Sequence, residues 1–242
     1  MFGFLTGLAL GLVFSVLGAG GGIIAVPVLL VLFALPMNDA TGAGLAIVFT
    51  AALTSAVAYA RARRVDWRTV LLLGPMTMIG AVGGAKLNAF IPERVTAALF
   101  AVVLLAATAS LFRKKNEQPK RAPTLLLLAT GLALGVLTGV LGVGGGFLLV
   151  PVLVGLASLP LHRAVGTSTA LIAMSSLAGG VTTMISKPHL ATIILPVAAG
   201  AMAGAVLGVP LGGKLPEKGL RIGFAALSLT VAAGMAVKAI AP

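Results

Sequence analysis

Two glycine tracts inside apolar sequence are the features of this chain best suited to binding a ligand. Residues 18–36 read GAGGGIIAVPVLLVLFALP, and residues 142–160 read GVGGGFLLVPVLVGLASLP. A run of glycine interrupts a helix, and the first N–H groups of a helix that starts again have no partner. An anion can accept those hydrogen bonds, and the positive end of the helix dipole favours it. The pattern predicts anion binding by backbone amides at six residues: Gly20, Gly21, Gly22, Gly144, Gly145 and Gly146.

Each tract is followed at the same distance by a proline, Pro27 and Pro151. Proline is tolerated near a helix start because its missing N–H is not needed there, so we place both near the first turn of the restarted helix, at about Ile23 in the first half. The alternative is close helix packing through small residues. A nucleotide-binding loop is not indicated, because no strand precedes the tracts and no Walker lysine follows. We interpret the other apolar-segment glycines as packing sites: Gly80, Gly83, Gly84, Gly204, Gly208, Gly212 and Gly213.

Small polar residues near the start of the third apolar segment of each half could complete the shell around an oxyanion. The second half has Thr167 and Ser168, and the first half has Thr41. Hydroxyl groups donate hydrogen bonds without carrying charge. Helix capping and hydrogen bonding between helices are the alternatives. Three polar residues just before or within these starts are candidates for gating or coupling: His162, Asn38 and Asp39.

All five acidic residues fall in predicted loops or at predicted helix ends: Asp39, Asp66, Glu93, Glu117 and Glu217. A proton or sodium relay uses carboxylates within the membrane, so this distribution argues against a cation carrier. The chain has no cysteine, no paired serine and histidine, and no HExxH motif. We therefore expect no catalytic residue, no metal site and no cofactor, and we expect that the protein is not an enzyme.

The elements that must position these residues are membrane-spanning helices. Hydrophobic residues make up 59% of the chain and charged residues 9%, and the mean hydropathy is +1.15. Residues 43–60 and 97–112 contain no charge at all. Runs of this length and composition are typical of helices that cross a bilayer. We expect an all-α polytopic membrane protein, with the lipid bilayer as its surroundings and 1–17 retained as a first helix.

The chain consists of two homologous halves. The glycine tracts lie 124 residues apart, and at the same offset Ile91-Pro92-Glu93-Arg94 corresponds to Leu215-Pro216-Glu217-Lys218. We define residues 1–112 as the first repeat, 113–123 as a basic cytoplasmic linker and 124–242 as the second repeat. Each repeat has about five hydrophobic segments, predicted at residues 2–17, 23–35, 42–60, 69–87 and 95–112, and at residues 125–141, 147–159, 164–185, 190–210 and 220–239.

The second segment of each half has about thirteen residues, whereas a crossing needs about 20. Two short helices joined at a glycine tract predict a hairpin with its tip inside the membrane. A reversal there gives each half an odd number of crossings and makes the repeats inverted; without it they are parallel. Cytoplasmic loops are rich in Lys and Arg. Both arrangements place 61–68 and the linker inside. The inverted one adds four further basic residues there, Arg163, Lys214, Lys218 and Arg221, whereas the parallel one adds two, Lys187 and Lys238.

These motifs are similar to those of the TauE/SafE family of membrane permeases, the sulfite exporter or sulfonate permease family. The resemblance rests on the repeated GxGGG-x-x-x-VP at 18–27 and 142–151, on AVGTS at 164–168, and on RVDW at 64–67. It implies a multi-pass transporter of the bacterial inner membrane that moves a small sulfur-containing oxyanion or organosulfonate, such as sulfite or sulfoacetate. The first half has Ala43-Gly44 where the second has Thr167-Ser168, which argues against symmetric ligation.

We therefore expect a permease that works by alternating access, in which one repeat or bundle rocks against the other around a midplane site where the two glycine tracts meet. The alternatives are an anion channel and a carrier of a lipid-linked or carboxylate substrate. The partner is a small anionic solute, and a homodimer is also considered. The net charge of +12 is concentrated in loops that suit the cytoplasmic side of a membrane, so we expect no nucleic-acid partner.

Overall fold

The computed structural model describes residues 1–17, 20–88, 90–112, 122–141, 146–212 and 216–240, and within these ranges it is helical with no strand. The helices found there are α1 (Phe2–Leu17), α2 (Gly20–Leu32), α3 (Met37–Arg61), α4 (Trp67–Asn88), α5 (Glu93–Phe112), α6 (Thr124–Leu141), α7 (Gly146–Gly155), α8 (Leu161–Ser186), α9 (Ala191–Gly212) and α10 (Glu217–Ile240). A short 3-10 turn, Pro188–Leu190, precedes α9.

Four helical stretches of the described chain are long and apolar enough to cross a bilayer: Met37–Arg61, Trp67–Asn88, Thr124–Leu141 and Pro188–Gly212. Two shorter apolar stretches, Phe2–Leu17 and Arg94–Ala106, accompany them. Each predicted hydrophobic segment overlaps one helix, because backbone groups in lipid must be satisfied within the segment and only a helix does this without a partner strand. The all-α membrane class is confirmed.

Two helices begin earlier than predicted, because a proline stands at the N-cap of each. Pro36 caps α3 and Pro160 caps α8, so these helices start at 37 and 161, not at 42 and 164. A residue before the first helical turn can keep the extended conformation that proline favours. Thr41, Thr167 and Ser168 consequently lie beyond the first turn of their helices. They are not N-caps.

Each half opens with an antiparallel pair of helices. The rings of Phe2 and Phe33 have centroids 5.9 Å apart, which brings the start of α1 to the end of α2. In the second half, the N–H of Ala122 donates to the carbonyl oxygen of Leu156 at 2.9 Å, which brings the start of α6 to the end of α7. The chain therefore reverses between the two helices of each pair. Residues 18–19 and 142–145, between the two helices of each pair, lie outside the described residues, so the glycine break itself stays a prediction.

Eight of the helices that the structure describes pack mainly on a partner from the other half. The main pairs are α1 with α9, α4 with α6, α3 with α8, and α5 with α10. At the 124-residue offset, α1 corresponds to α6 and α4 corresponds to α9, so the first two pairs are equivalent. The halves thus interlock and do not form two bodies side by side.

Glycine forms the contact in the α1–α9 and α4–α6 pairs. A Cβ added at Gly11 would overlap the carbonyl oxygen of Ala201, and a Cβ at the equivalent Gly135 would overlap that of Thr77. We call these two interfaces the glycine seams. Their members, at which an added Cβ would come too close to the facing helix, are Gly7, Gly11, Gly80, Gly84, Gly135, Gly139, Gly200, Gly204, Gly208 and Gly212.

The prediction that glycines outside the two tracts are packing sites is thereby confirmed for five seam members: Gly80, Gly84, Gly204, Gly208 and Gly212. It is wrong for Gly83, which has nothing within 4 Å of an added Cβ. Gly213 lies outside the described residues. Small residues let backbones approach in this way when no bulky side chain stands between two helices.

Helices α3 and α8 run antiparallel, although they are equivalent helices of the two halves. A Cβ added at Gly42 would lie 2.6 Å from the Thr183 hydroxyl, and a Cβ added at Gly180 would lie 2.9 Å from the Cα of Ala46. Residue numbers therefore rise on one helix as they fall on the other. We call the end that carries the 61–68 loop and the start of α8 the basic end. The other end, with the start of α3, is the opposite end.

Candidate functional site

The structure divides the predicted site residues between the two ends of the bundle. Thr167, Ser168 and His162 lie at the basic end, whereas Asn38, Asp39 and Thr41 lie at the opposite end. About 25 Å of α3 separates Gly42 at one end from Tyr59 at the other, at 1.5 Å per residue. A small oxyanion cannot contact both groups at once. The predicted site residues that the structure describes therefore lie in two clusters of different chemistry, and their role as ligands stays a prediction.

At the basic end, the AVGTS segment of α8 packs against the RVDW segment between α3 and α4. A Cβ at Gly166 would lie 2.5 Å from the carbonyl oxygen of Arg64. The N–H of Asp66 donates to the Thr167 hydroxyl at 2.9 Å, and Thr167 is fully buried. The two short motifs that carried the family resemblance thus form one contact. Accepting this bond leaves the hydroxyl proton of Thr167 to be donated.

Asp66 also begins α4. Its carboxylate accepts a hydrogen bond from the N–H of Thr69 at 3.3 Å and a second from the hydroxyl of the same residue. This is the N-cap arrangement, in which a carboxylate satisfies an N–H of the first turn and favours the helix dipole. The acidic residue of RVDW therefore has a structural role. Trp67 is exposed, as expected of an anchor at headgroup level.

The only tyrosine in the sequence connects this cluster to the first hairpin. The Tyr59 hydroxyl, buried, donates to the carbonyl oxygen of Ser15 at 2.8 Å. Ser15 lies in the last turn of α1, where carbonyl groups have no partner within the helix. The Cβ of Tyr59 faces Gly166 on its other side, at 3.2 Å from an added Cβ. Tyr59 therefore joins the end of α1, just before the first glycine tract, to the start of α8.

The first tract forms the opening turn of α2. Gly20, Gly21 and Gly22 begin the helix three residues before the predicted start at about Ile23. The proline prediction changes with it: Pro27 lies in the third turn of α2, and Pro151 in the second turn of α7, so each interrupts the helical hydrogen bonds and neither is a first-turn residue.

The second tract is described only from Gly146, which starts α7. Gly144 and Gly145 lie outside the described residues.

The opposite end has charges of both signs. Lys187, at the end of α8, forms an ion pair with Asp39, and the Thr41 hydroxyl donates to the carbonyl of Asn38 at 3.1 Å. Asn88 of α4 donates a side-chain N–H to the carbonyl of Val140 in the last turn of α6. Asn88 thus donates to a carbonyl in the last turn of α6, as Tyr59 donates to a carbonyl in the last turn of α1. Sequence reasoning missed both residues; their signal was a lone polar side chain beside small residues in an apolar segment.

Most buried hydroxyls between the two ends bond to their own helix. Ser168 donates to the Val165 carbonyl at 2.7 Å, and Ser175 to the Ile172 carbonyl at 3.1 Å. Two do not: the hydroxyl oxygens of Ser55 on α3 and Ser176 on α8 are buried, and neither has a hydrogen-bond partner in the described part of the chain. A buried hydroxyl without a partner costs about 1–3 kcal/mol. These two serines are therefore candidate ligands that the sequence analysis did not identify.

Ser176 lies on the face of α8 that meets α3. It is one turn from Gly180 and two turns from Thr183, both of which contact α3. It also lies close to the middle of α8, whose bounds are Leu161 and Ser186. Ser55 is one turn before Tyr59 on α3. The serines therefore lie between the two end clusters.

The comparisons with known proteins agree with the resemblance. The family model for the sulfite exporter TauE/SafE matches residues 3–235. The probable membrane transporter protein YunE of Bacillus subtilis is 30% identical over 244 residues, covering 88% of each chain. A probable membrane transporter protein of Haemophilus influenzae is 27% identical over 256 residues, covering 97% of each chain, and YdhB of Bacillus subtilis is 27% identical over 216 residues, covering 86% of this chain and 88% of the relative.

No solved structure matches the chain significantly. The relatives are named as membrane transporters and not as enzymes. With a family model that covers nearly its whole length, this chain belongs to the TauE/SafE sulfite exporter family, a family of multi-pass membrane transporters.

Proposed function

We propose that this protein carries a small sulfur-containing oxyanion or organosulfonate across the bacterial inner membrane by alternating access. The observation that carries the proposal is the pair of buried hydroxyls without a partner, Ser55 and Ser176, in helices that have no charged residue between Asp39 and Arg61 or between Arg163 and Lys187. Neutral donors suit an anion that must bind and leave, whereas a buried opposite charge would hold it.

The topology that we propose is inverted. Helices α3 and α8 are equivalent in sequence and antiparallel in space, so the two-fold axis that relates them lies across the helices and in the membrane plane. The loop at 61–68, the residue Arg163 at the start of α8 and Lys218 at the start of α10 all stand at the basic end. The positive-inside rule then makes that end cytoplasmic.

We propose that the anion first binds at the basic end. There the amides of Gly20, Gly21 and Gly22 open α2, and the Thr167 hydroxyl keeps a proton to donate. Ser168 and His162 complete the cluster. The corresponding cluster at the opposite end comprises Gly146 and Thr41, with Asn38 and Asp39 as gating residues. Because Asp39 is acidic and pairs with Lys187, this end holds an anion less strongly, which favours release there.

The bodies that move are not the two sequence repeats. The glycine seams bring the backbones of α1 and α9, and of α4 and α6, into contact, and each pair takes one helix from each half. Where two backbones are in direct contact, no side chain lies between them that could change rotamer and let one helix slide past the other. We therefore propose that each seam pair moves as one unit and that the change occurs between them, at α3 and α8.

The test is uptake of radiolabelled sulfite into proteoliposomes by Ser55→Ala and Ser176→Ala. Because neither hydroxyl has a partner, each variant should be at least as stable as the parent, while the KM for sulfite rises about tenfold, the effect of losing a hydrogen bond to a charged group. Ser175→Ala is the matched control, since its hydroxyl already bonds to its own helix. Wild-type transport in Ser176→Ala and Ser55→Ala would remove the observation on which the proposal stands.

The same vesicles separate the alternatives. A carrier shows saturation and counterflow of labelled sulfite against an excess of unlabelled sulfite, and a channel shows neither. Competition with sulfoacetate, taurine, sulfate and acetate then defines the substrate class. Inhibition by acetate alone would indicate a carboxylate carrier, and transport that is independent of all these anions would indicate a lipid-linked substrate.

A further inference from the structure

A groove on the side of the bundle is unrelated to the clusters described above. It lies between α3 and α9, has a volume of about 370 Å³ and is open along one side. Its walls are Leu53, Thr54, Val57, Ala58 and Arg61 of α3, with Val206, Val209 and Pro210 of α9. Several of these side chains face outward, Val206 being 60% exposed. In a membrane protein the surroundings of this groove are lipid.

The groove has the length and polarity of one lipid leaflet. From Leu53 to Arg61 it follows α3 for about 12 Å, at 1.5 Å per residue. A leaflet of the hydrocarbon core is about 15 Å thick. The walls along this length are apolar except for Thr54, whose hydroxyl already donates to the Thr50 carbonyl at 2.8 Å. A free phosphate or sulfite ion would find no partner over most of the groove.

The charged end of the groove is Arg61. It stands in the last turn of α3 at the basic end, it is exposed, and no carboxylate lies within ion-pair distance of it in the ranges that the structure describes. A guanidinium at this depth pairs well with the phosphate of a lipid headgroup, and basic pockets between helices on the cytoplasmic side bind anionic headgroups. On the α9 side of the groove, Pro210 has no backbone N–H, so the Val206 carbonyl lacks the helical hydrogen bond that residue 210 would otherwise donate.

We propose that this groove is a binding site for one anionic phospholipid, with an acyl chain along Leu53 and Val57 and the phosphate at Arg61. The lipid packs between α3 and α9. It therefore contacts α9, which belongs to a glycine seam, and α3, which does not. An anionic lipid therefore binds this protein more tightly than a zwitterionic lipid with the same acyl chains.

The experiment is native mass spectrometry of the delipidated full chain, titrated with dioleoyl-phosphatidylglycerol or dioleoyl-phosphatidylcholine. Phosphatidylglycerol should bind the parent protein with one tight site, and Arg61→Ala should weaken that site about fivefold, as expected for one basic residue at a membrane surface. Arg68→Ala is the charge-matched control, because Arg68 is exposed at the same end but does not line the groove. An equal loss in both variants would mean general surface charge and would overturn the proposal.

A second pair of variants tests the groove without changing charge. Val206→Trp fills the groove and should abolish the tight site, whereas Val102→Trp, on α5 and 62% exposed, should leave it intact. Both variants place an aromatic residue on an exposed helix face, so folding should be equal by thermal unfolding. Tight phosphatidylglycerol binding that persists in Val206→Trp would overturn the proposal. So would displacement of the lipid by inorganic phosphate, or a dimer in the parent that becomes a monomer in Val206→Trp.

Discussion

Two adjacent glycines of α4 give a sharp test of the glycine seams. A Cβ added at Gly84 would overlap the carbonyl oxygen of Val136 and lie 2.9 Å from its carbonyl carbon, whereas a Cβ at Gly83 would meet nothing within 4 Å. Alanine gains about 1 kcal/mol over glycine within a helix at both positions. The overlap at Gly84 is with backbone, which cannot rotate away, so α4 and α6 must separate at a cost of about 1–3 kcal/mol.

We therefore expect Gly84→Ala to be about 1–3 kcal/mol less stable than Gly83→Ala, and Gly83→Ala to be at least as stable as the parent. Unfolding in mixed micelles with increasing SDS measures both values, and the single tryptophan, Trp67 at the start of α4, reports them by fluorescence. Equal unfolding free energies for the two variants would show that the α4–α6 contact is not a close backbone contact.

Three further predictions concern single contacts. Thr167→Val keeps the shape of the side chain but removes the acceptor of the Asp66 N–H, so it should lower the unfolding free energy by about 1–3 kcal/mol, measured in the same SDS assay. Tyr59→Phe leaves a carbonyl in the last turn of α1 without its donor and should cost a similar amount, with faster amide exchange confined to the first hairpin. Asp39→Asn should cost less than about 1 kcal/mol, because the ion pair with Lys187 is partly exposed, and the difference should shrink in high salt.

The fold class could be predicted from sequence because it depends on composition. A chain with 59% hydrophobic residues and with its charges in loops and near helix ends is suited to crossing a bilayer, and single helices satisfy the backbone there. The repeat offset also gave the correct equivalences, since Gly11 and Gly135 make the same contact at positions 124 residues apart. Helix starts were less accurate, because Pro36 and Pro160 let α3 and α8 begin before the apolar segments do.

The pairing of helices could not be predicted, because small-residue spacing indicates that a helix packs closely and not which helix it meets. Gly7 and Gly11 have the same spacing as Gly200 and Gly204, but nothing local connects them. The candidate site depended on that pairing. Thr41 and Thr167 each lie near the start of their helix. Because α3 and α8 run antiparallel, these two starts are at opposite ends of the bundle, so the equivalence in sequence does not bring the two residues together.

Glycine has two separate uses in this chain, and the alternating access that we propose needs both. The seam glycines remove side chains between α1 and α9 and between α4 and α6, which makes those interfaces close and hard to shear. The glycines that open α2 place backbone amides at a helix start, where in our proposal the solute binds. A transporter must hold some interfaces fixed while another opens. In our proposal the seam pairs stay closed, and the interface that opens is the one between α3 and α8, where the unpartnered hydroxyl of Ser176 lies.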